Sequence, residues 1–309
     1  MAEYVGIDIG GTAVKWALVT GDFVIEERGE LPTSFSSQEE LLTALEGIAR
    51  PWLDRVAAVG VSVPGSVYDG DADGTVHRGG ALPYMNGCPL ARELRDRLGL
   101  PVAVANDGKC CALGEYSAGA LRGARVGVAL AIGTGIGGGI VIDGRVLNGP
   151  HAFAGELSFL LNDTNRPFGM GNIFAITHGW KGLRALVMAE KGLDATDEEL
   201  RRSIDGRTIF EWINSGDEAA RRGLDAYAAG FARQLLNLQA VVDPDVFAIG
   251  GGISRQPALI EAIQAQVDVE AQAYQGILAG APMPHVVAAQ LGNDANLYGA
   301  VTHATRLVA

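Results

Sequence analysis

"RVGVALAIGTGIGGGIVIDGRV" (125–146) is the stretch on which the fold turns. It reads as an apolar strand, a Gly-Thr turn, a return strand and a tight Asp-Gly turn. The opening of the chain has the same texture. "YVGIDIGGT" (4–12) alternates Val5, Ile7 and Ile9 against Gly6 and Asp8, as a half-buried strand would. It turns at Gly10-Gly11 and runs back as "VKWALV" (14–19).

Strands and helices alternate after each copy. After the first come a strand in "FVIEER" (23–28) and a helix over 37–54, opened by Ser37 with Glu40 at capping-box spacing. "VAAVGVSVPG" (56–65) is a buried strand, "CPLARELRDRLGL" (88–100) a helix closed by Gly99, and "PVAVAND" (101–107) a strand leading into helix 107–118. After the second copy, residues 171–214 read as mainly helical. Helix 217–242 comes next, with Leu224, Tyr227, Phe231, Leu235, Leu238 and Val242 on one stripe. "DVFAIGGGIS" (245–254) is strand plus glycine turn, "QPALIEAIQAQV" (256–267) a helix with Pro257 in its first turn, and the last helix begins near Ala295. Alternating strands and helices with a duplicated opening predict an α/β protein of two domains around a central cleft, 1–118 with 295–309 and 119–294.

Composition narrows the class. The 309 residues are 48% hydrophobic and 19% charged, which describes a soluble globular protein. No apolar run reaches the roughly 20 residues of a membrane helix. The N-terminus enters a strand at once, an expectation of no signal peptide. Three cysteines (Cys88, Cys110, Cys111) without a CxxC pair suit a reducing cytosol and argue against structural zinc. A net charge of -12 disfavours a nucleic-acid-binding face. The expectation is a cytoplasmic protein that handles small molecules, with no membrane and no nucleic-acid partner.

Gly133, Gly135 and Gly138 match GxGxxG by letter, but a strand follows where that dinucleotide pattern requires a helix. No P-loop is present. Two strand-turn-strand loops rich in Gly and Thr remain, and they can bring backbone N–H groups and a hydroxyl to phosphate oxygens. The plainer reading of each alone is a hairpin without ligand; their equivalence in a duplicated architecture favours phosphate. Asp8, directly before Gly10-Gly11-Thr12, suits the holding of Mg²⁺ through water; the plainer reading is a solvated strand residue. Lys15 is a candidate phosphate contact or a surface lysine.

"DIGGTAVKWALV" (8–19), "VSVPGSV" (61–67), "VANDGKCCALGE" (104–115), "AIGTGIGGGIVIDGRVLNG" (131–149), "AIGGGIS" (248–254) and "LGNDANLYGA" (291–300) occur in this order, and with them the chain resembles the ROK family over essentially its whole length. The resemblance implies the actin-like ATPase fold, built from two ribonuclease-H-like domains with ATP and a hexose meeting in the cleft. It implies Asp107 as general base toward a primary (6-) hydroxyl, a role for which a helix N-cap is the plainer alternative. Asn106 would then hold a neighbouring hydroxyl, with Gly65 and Gly79 approaching the sugar. Gly10, Gly11, Thr12, Thr134 and Gly135 would cradle phosphates, and Gly251, Gly252 and Asn293 would lie near the nucleotide's far end.

Two departures stand out in "HAFAGELSF" (151–159) and "RPFGMGNIF" (166–174). Kinases of the family often carry GExGH, with a sugar-binding Glu and a His shared between sugar and zinc, and a CxCGxxGC segment completes that zinc site. Here Gly155 and Glu156 match, Phe159 replaces the His, and the later segment has no cysteine. Glu156 is therefore expected to bind sugar without any zinc module. His151 and His178 read as core or surface histidines, and the family's further sugar-contacting Glu has only Phe174 nearby. Phe159 suits stacking on a sugar ring or tolerating an aglycone, a lean toward β-glucoside kinases. The expected protein is an ATP- and Mg²⁺-dependent sugar kinase. The alternatives are a sugar sensor that has lost catalysis and, less readily with only three residues before Tyr4, the family's repressor branch. Apolar helices in the second domain suggest a homodimer.

Overall fold

A computed structural model describes residues 2–274 and 279–308. In the first part of the chain the strands are β1 (Glu3–Ile9), β2 (Ala13–Thr20), β3 (Ile25–Pro32), β4 (Val56–Val63), β5 (Thr75–Val76), β6 (Cys88–Pro89) and β7 (Val102–Asn106). The helices there are α1 (Gln38–Ala49), α2 (Leu90–Leu98) and α3 (Asp107–Ala118). Next come β8 (Val126–Ile132), β9 (Ile136–Ile142) and β10 (Arg145–Val146). The helices α4 (Phe174–His178), α5 (Trp180–Glu190), α6 (Glu198–Ser203), α7 (Gly206–Asn214) and α8 (Glu218–Val242) are next in the chain. The described chain closes with β11 (Val246–Gly251), α9 (Pro257–Tyr274), β12 (Val286–Ala288) and α10 (Ala295–Thr305).

One sheet is ordered β3-β2-β1-β4-β7 and the other β10-β9-β8-β11-β12. Counted within each sheet, both orders are third, second, first, fourth, fifth. In the first sheet β2 is antiparallel to β1 and β3, while β1, β4 and β7 are parallel. In the second, β10 is antiparallel to β9, and β11 is parallel to β8 and β12. The repeat read in the sequence is thus a repeat of topology. By contacts the chain divides into two compact units. One is Met1–Gly123 with Gly139–Gly155 and Asn293–Ala309; the other is Ala124–Gly138 with Glu156–Gly292.

Several expectations need correction. β1 is buried on both faces. Val5, Ile7 and Ile9 join a core with Leu41, Leu45, Leu90 and Leu94, while Tyr4 packs with Leu297, Val301 and Ala304 of α10. Gly6 is glycine because α10 passes close: a Cβ there would lie 3.0 Å from the Leu297 carbonyl oxygen. The helix expected to reach residue 54 ends at Ala49, where Pro51 leaves only a 3-10 turn, Arg50–Trp52. Cys88 and Pro89 lie in β6, so α2 starts at Leu90. Ser37 caps α1 by accepting from the Glu40 N–H, but Glu40 returns its carboxylate to the Ser36 N–H at 2.8 Å instead of closing a box on Ser37.

Candidate active site

Asp8 stands near the end of β1, paired in register with Lys15 on β2 and Ser62 on β4. Its Oδ1 accepts from Ser62 Oγ at 2.8 Å and from Asn296 Nδ2 at 2.9 Å. It is therefore a fixed, half-buried carboxylate and not a solvated one. No described residue donates a hydrogen bond to Oδ2. The turn beyond it leaves Gly11 and Thr12 exposed. Thr33 pins that turn from β3's far end: its N–H donates to the Thr12 carbonyl and its Oγ1 to the Gly10 carbonyl. Sequence reading missed Ser62, Thr33 and Asn296. Asn296 lies three residues from the proposed Asn293, which is exposed in the 3-10 turn Gly292–Asp294.

Asn106 ends β7, and α3 begins at Asp107. The side chain of Asn106 accepts from the Lys109 N–H at 3.1 Å, so the cap is Asn106 and not Asp107. Asn106 Nδ2 donates to the Gly65 carbonyl at 2.8 Å and to Asp107 Oδ1 at 3.0 Å. Asp107 Oδ1 also accepts from the Gly108 N–H at 2.8 Å. Gly65 has φ +107, and a Cβ there would meet the Arg78 carbonyl oxygen at 1.7 Å. The Gly79 N–H is taken by Asn86 Oδ1 at 2.6 Å. The Cys110 thiol is near enough to both acids to feel their charges. Burial first, then the charges of Asp8 and Asp107, push its pKa well up, while a hydrogen bond with Ser62 opposes the rise. Asp8, Ser62, Cys110 and Asp107 are one neighbourhood.

Below this, Lys109 is 3% exposed, which demands partners for its ammonium. Its Nζ donates to Asn148 Oδ1 and, at 2.9 Å, to the Ala152 carbonyl. Asn148 Nδ2 in turn reaches the Val67 carbonyl at 3.1 Å and Asp69 Oδ1 at 2.7 Å. Asn106, Lys109 and Asn148 line a cavity of about 980 Å³ within this unit; Asp107 is not among its lining residues.

In the other unit the β8–β9 turn is closed by Gly133 N–H to the Gly135 carbonyl at 2.8 Å. Its rear face is held by the Trp180 N–H on the Gly133 carbonyl. Gly251 sits beside Ile132 in the β8–β11 register and has φ +97. An open groove of about 380 Å³ is lined by Gly133, Gly135, Gly251, Gly252 and Ser158, among others. Two of the three glycine turns proposed for the nucleotide, at Gly135 and at Gly251–Gly252, therefore line one groove, and Thr134 is not among its lining residues. Gly252 has no atom within 4 Å of where its Cβ would be, which leaves room for a ligand.

Glu156 is half-buried at the start of the 3-10 turn Leu157–Phe159. Phe159 is 42% exposed. His178 is a core histidine: its ring packs against Phe174, Tyr227 and Phe231, and burial lowers its pKa to about 4. Among the described residues no three His, Cys, Asp or Glu side chains come together as a metal site.

A model of the ROK family matches residues 4–306. The chain belongs to the ROK family. The bifunctional enzyme NanE/NanK of Brucella melitensis is 32% identical over 292 residues, which cover 94% of this chain and 52% of that enzyme. The chain thus spans about half the length of the first curated relatives it matches. N-acetylmannosamine kinase of Citrobacter koseri is 31% identical over 95% of this chain and 96% of its own length. A ROK family glucokinase from Streptomyces griseus, solved with glucose and AMPPNP, superposes with a TM-score of 0.74 at 26% identity, covering 99% of this chain and 100% of that one. The duplicated α/β sheets of this ROK chain are the actin-like ATPase fold of those sugar kinases.

Proposed function

We propose that the protein is an ATP-dependent sugar kinase that phosphorylates the primary hydroxyl of a hexose or hexosamine, with Asp107 as general base. The observation that carries this reading is the division of labour at the start of α3. Asn106 supplies the cap, so Asp107 is not needed to terminate the helix, and Asn106 and Gly108 fix its Oδ1. A carboxylate so held suits removal of a proton from an attacking hydroxyl. Phosphoryl transfer otherwise asks for positioning and charge stabilisation.

Glu156 and the Gly65 and Gly79 turns are assigned to the sugar, and Asn106 to a hydroxyl beside the reacting one through its remaining oxygen lone pair. The Gly10–Thr12 turn with Lys15, the Thr134–Gly135 turn, and Gly251, Gly252 and Asn293 are assigned to the nucleotide. Asp8 fits Mg²⁺: that ion commonly takes one or two carboxylates plus water and phosphate, and Ser62 and Asn296 orient this one toward a single open oxygen. When bound, Mg²⁺ would neutralise charge on the phosphates.

N-acetylmannosamine is the favoured acceptor, supported by the Citrobacter koseri relative. Phe159, exposed three residues after Glu156, favours a second reading in which a β-glucoside is accepted. ATP-coupled ADP release over a panel of N-acetylmannosamine, glucose and β-glucosides is the test, with the phosphorylated position read by NMR. A failure to release ADP above background with any of them sinks the kinase reading and leaves a sugar sensor; DNA binding by the purified protein would point to the regulator branch. The proposal extends to a cytoplasmic homodimer, checked by sedimentation.

A further inference from the structure

We propose that Asn172 is a positioning residue for Glu156: its amide closes the loop 162–173 by hydrogen bonds to the loop's own backbone and so fixes the turn that presents the carboxylate. The inference rests on the reading of Glu156 as a sugar ligand. Asn172 is 3% exposed. Its Oδ1 accepts from the Asp163 N–H at 2.9 Å. Its Nδ2 faces three carbonyl oxygens, those of Asp163 at 2.8 Å, Arg166 at 3.0 Å and Pro167 at 3.3 Å. Two amide hydrogens serve three acceptors, so one is shared. The backbone adds two more ties, Asn172 N–H to the Gly169 carbonyl and Asn162 N–H to the Asn172 carbonyl.

Within the loop Asp163 adds two local ties, its carboxylate accepting from the Asn165 N–H at 2.9 Å and its carbonyl from the Arg166 N–H at 3.2 Å. The loop's tip exposes Phe168 at 68% and Met170 at 69%, so it does not fold over a core of its own. Its base is firm. Leu161 bridges Ile173, the Phe174 N–H donates to the Leu160 carbonyl at 2.8 Å, and Gln234 of α8 donates to the Leu161 carbonyl at 2.8 Å. Leu160 is the residue directly after the turn Leu157–Phe159, whose Phe159 N–H bonds the Glu156 carbonyl at 3.1 Å. The clip at Asn172 is therefore linked to Glu156 through a short, continuous run of backbone. Only a side chain with both an acceptor and donors satisfies these groups. An aspartate of the same shape would turn an oxygen toward three carbonyls.

The test compares wild type with Asn172→Asp and Asn172→Ser by sugar kinetics, ATP kinetics and chymotrypsin cleavage after Phe168. The expected result is a sugar KM raised about tenfold or more with ATP KM nearly unchanged, because a misplaced ligand weakens one substrate only. Cleavage after Phe168 should be faster in both variants, with melting temperatures close to wild type. A metal chelator should leave wild-type cleavage unchanged. Equal rises in both KM values, or an unchanged sugar KM, overturn the positioning role. Unchanged cleavage in an active variant overturns the clip. A variant that does not fold is set aside for the other, and the loss of both with melting far below wild type assigns Asn172 to general stability and overturns the proposal. Wild type that phosphorylates no sugar defeats the kinase reading instead, and is told apart because the cleavage comparison does not depend on turnover.

Discussion

At position 107 a single oxygen separates two roles. Asp107→Asn keeps an Oδ1 able to accept from Asn106 and Gly108, so the helix start should survive. What is lost is the capacity to take a proton. Turnover should drop by roughly 10²–10⁴ with sugar and ATP affinities little changed, read by steady-state kinetics and a melting curve. Near-normal turnover would remove Asp107 from the chemistry. Asn106→Ala makes the opposite prediction: loss of a cap costs about 1 kcal/mol, and the tie to Gly65 goes with it. Denaturant melting should therefore move for Asn106→Ala and stay put for Asp107→Asn. The sequence could name both residues but not divide these tasks. Asn and Asp are both good caps, and only backbone geometry decides which of two neighbours does it.

Among the elements, the strand–turn–strand repeat was legible because alternation and glycine are local signals. The double burial of β1 was not, since Tyr4 and Gly6 are covered by α10, nearly three hundred residues away in the sequence. The partners of Asp8 escaped for the same reason, Ser62 and Asn296 being distant in the chain. Adjacent glycines at the end of β11 show how the structure separates what sequence lumps together. A Cβ at Gly251 would meet the Ile132 carbonyl oxygen at 2.1 Å on a backbone with φ +97, whereas Gly252 is open. Gly251→Ala should lower the melting temperature; Gly252→Ala should leave it in place and weaken ATP binding, measured by titration calorimetry. Equal behaviour of the two would break the assignment of this groove. His178, held by α4 against α8, adds a pH dependence. Its folded pKa of about 4 lies below the unfolded value near 6.5, so between these values the unfolded chain binds the extra proton. Stability is full above pH 6.5, falls as pH drops toward 4, and loses nothing more from this group below that. The total is about 3 kcal/mol. Urea midpoints of wild type and His178→Gln, compared at pH 7 and pH 4.5, should converge or cross as pH falls; a constant gap would mean that burial does not hold this ring neutral.

At the scale of the whole molecule, the distribution of metal-binding side chains makes a prediction about composition. A zinc site needs about four ligands with thiols deprotonated. Burial instead holds the Cys88 thiol up at about 11 and, with the charges of Glu115, Asp107 and Asp8, the Cys111 thiol at about 12. His178 is packed among aromatic rings, and His77 stacks on Tyr68 at 4.1 Å. Cys88 on β6 pairs in register with Val76, the neighbour of His77, but among the described residues no three potential ligands gather. The loop where similar chains place cysteines is closed here by Asn172. Protein purified from zinc-supplemented medium should therefore carry no stoichiometric zinc by elemental analysis, and its melting temperature should be indifferent to a chelator. One tightly held zinc per chain, lost together with loop protection when the chelator is added, would show that the amide clip is not what closes this loop.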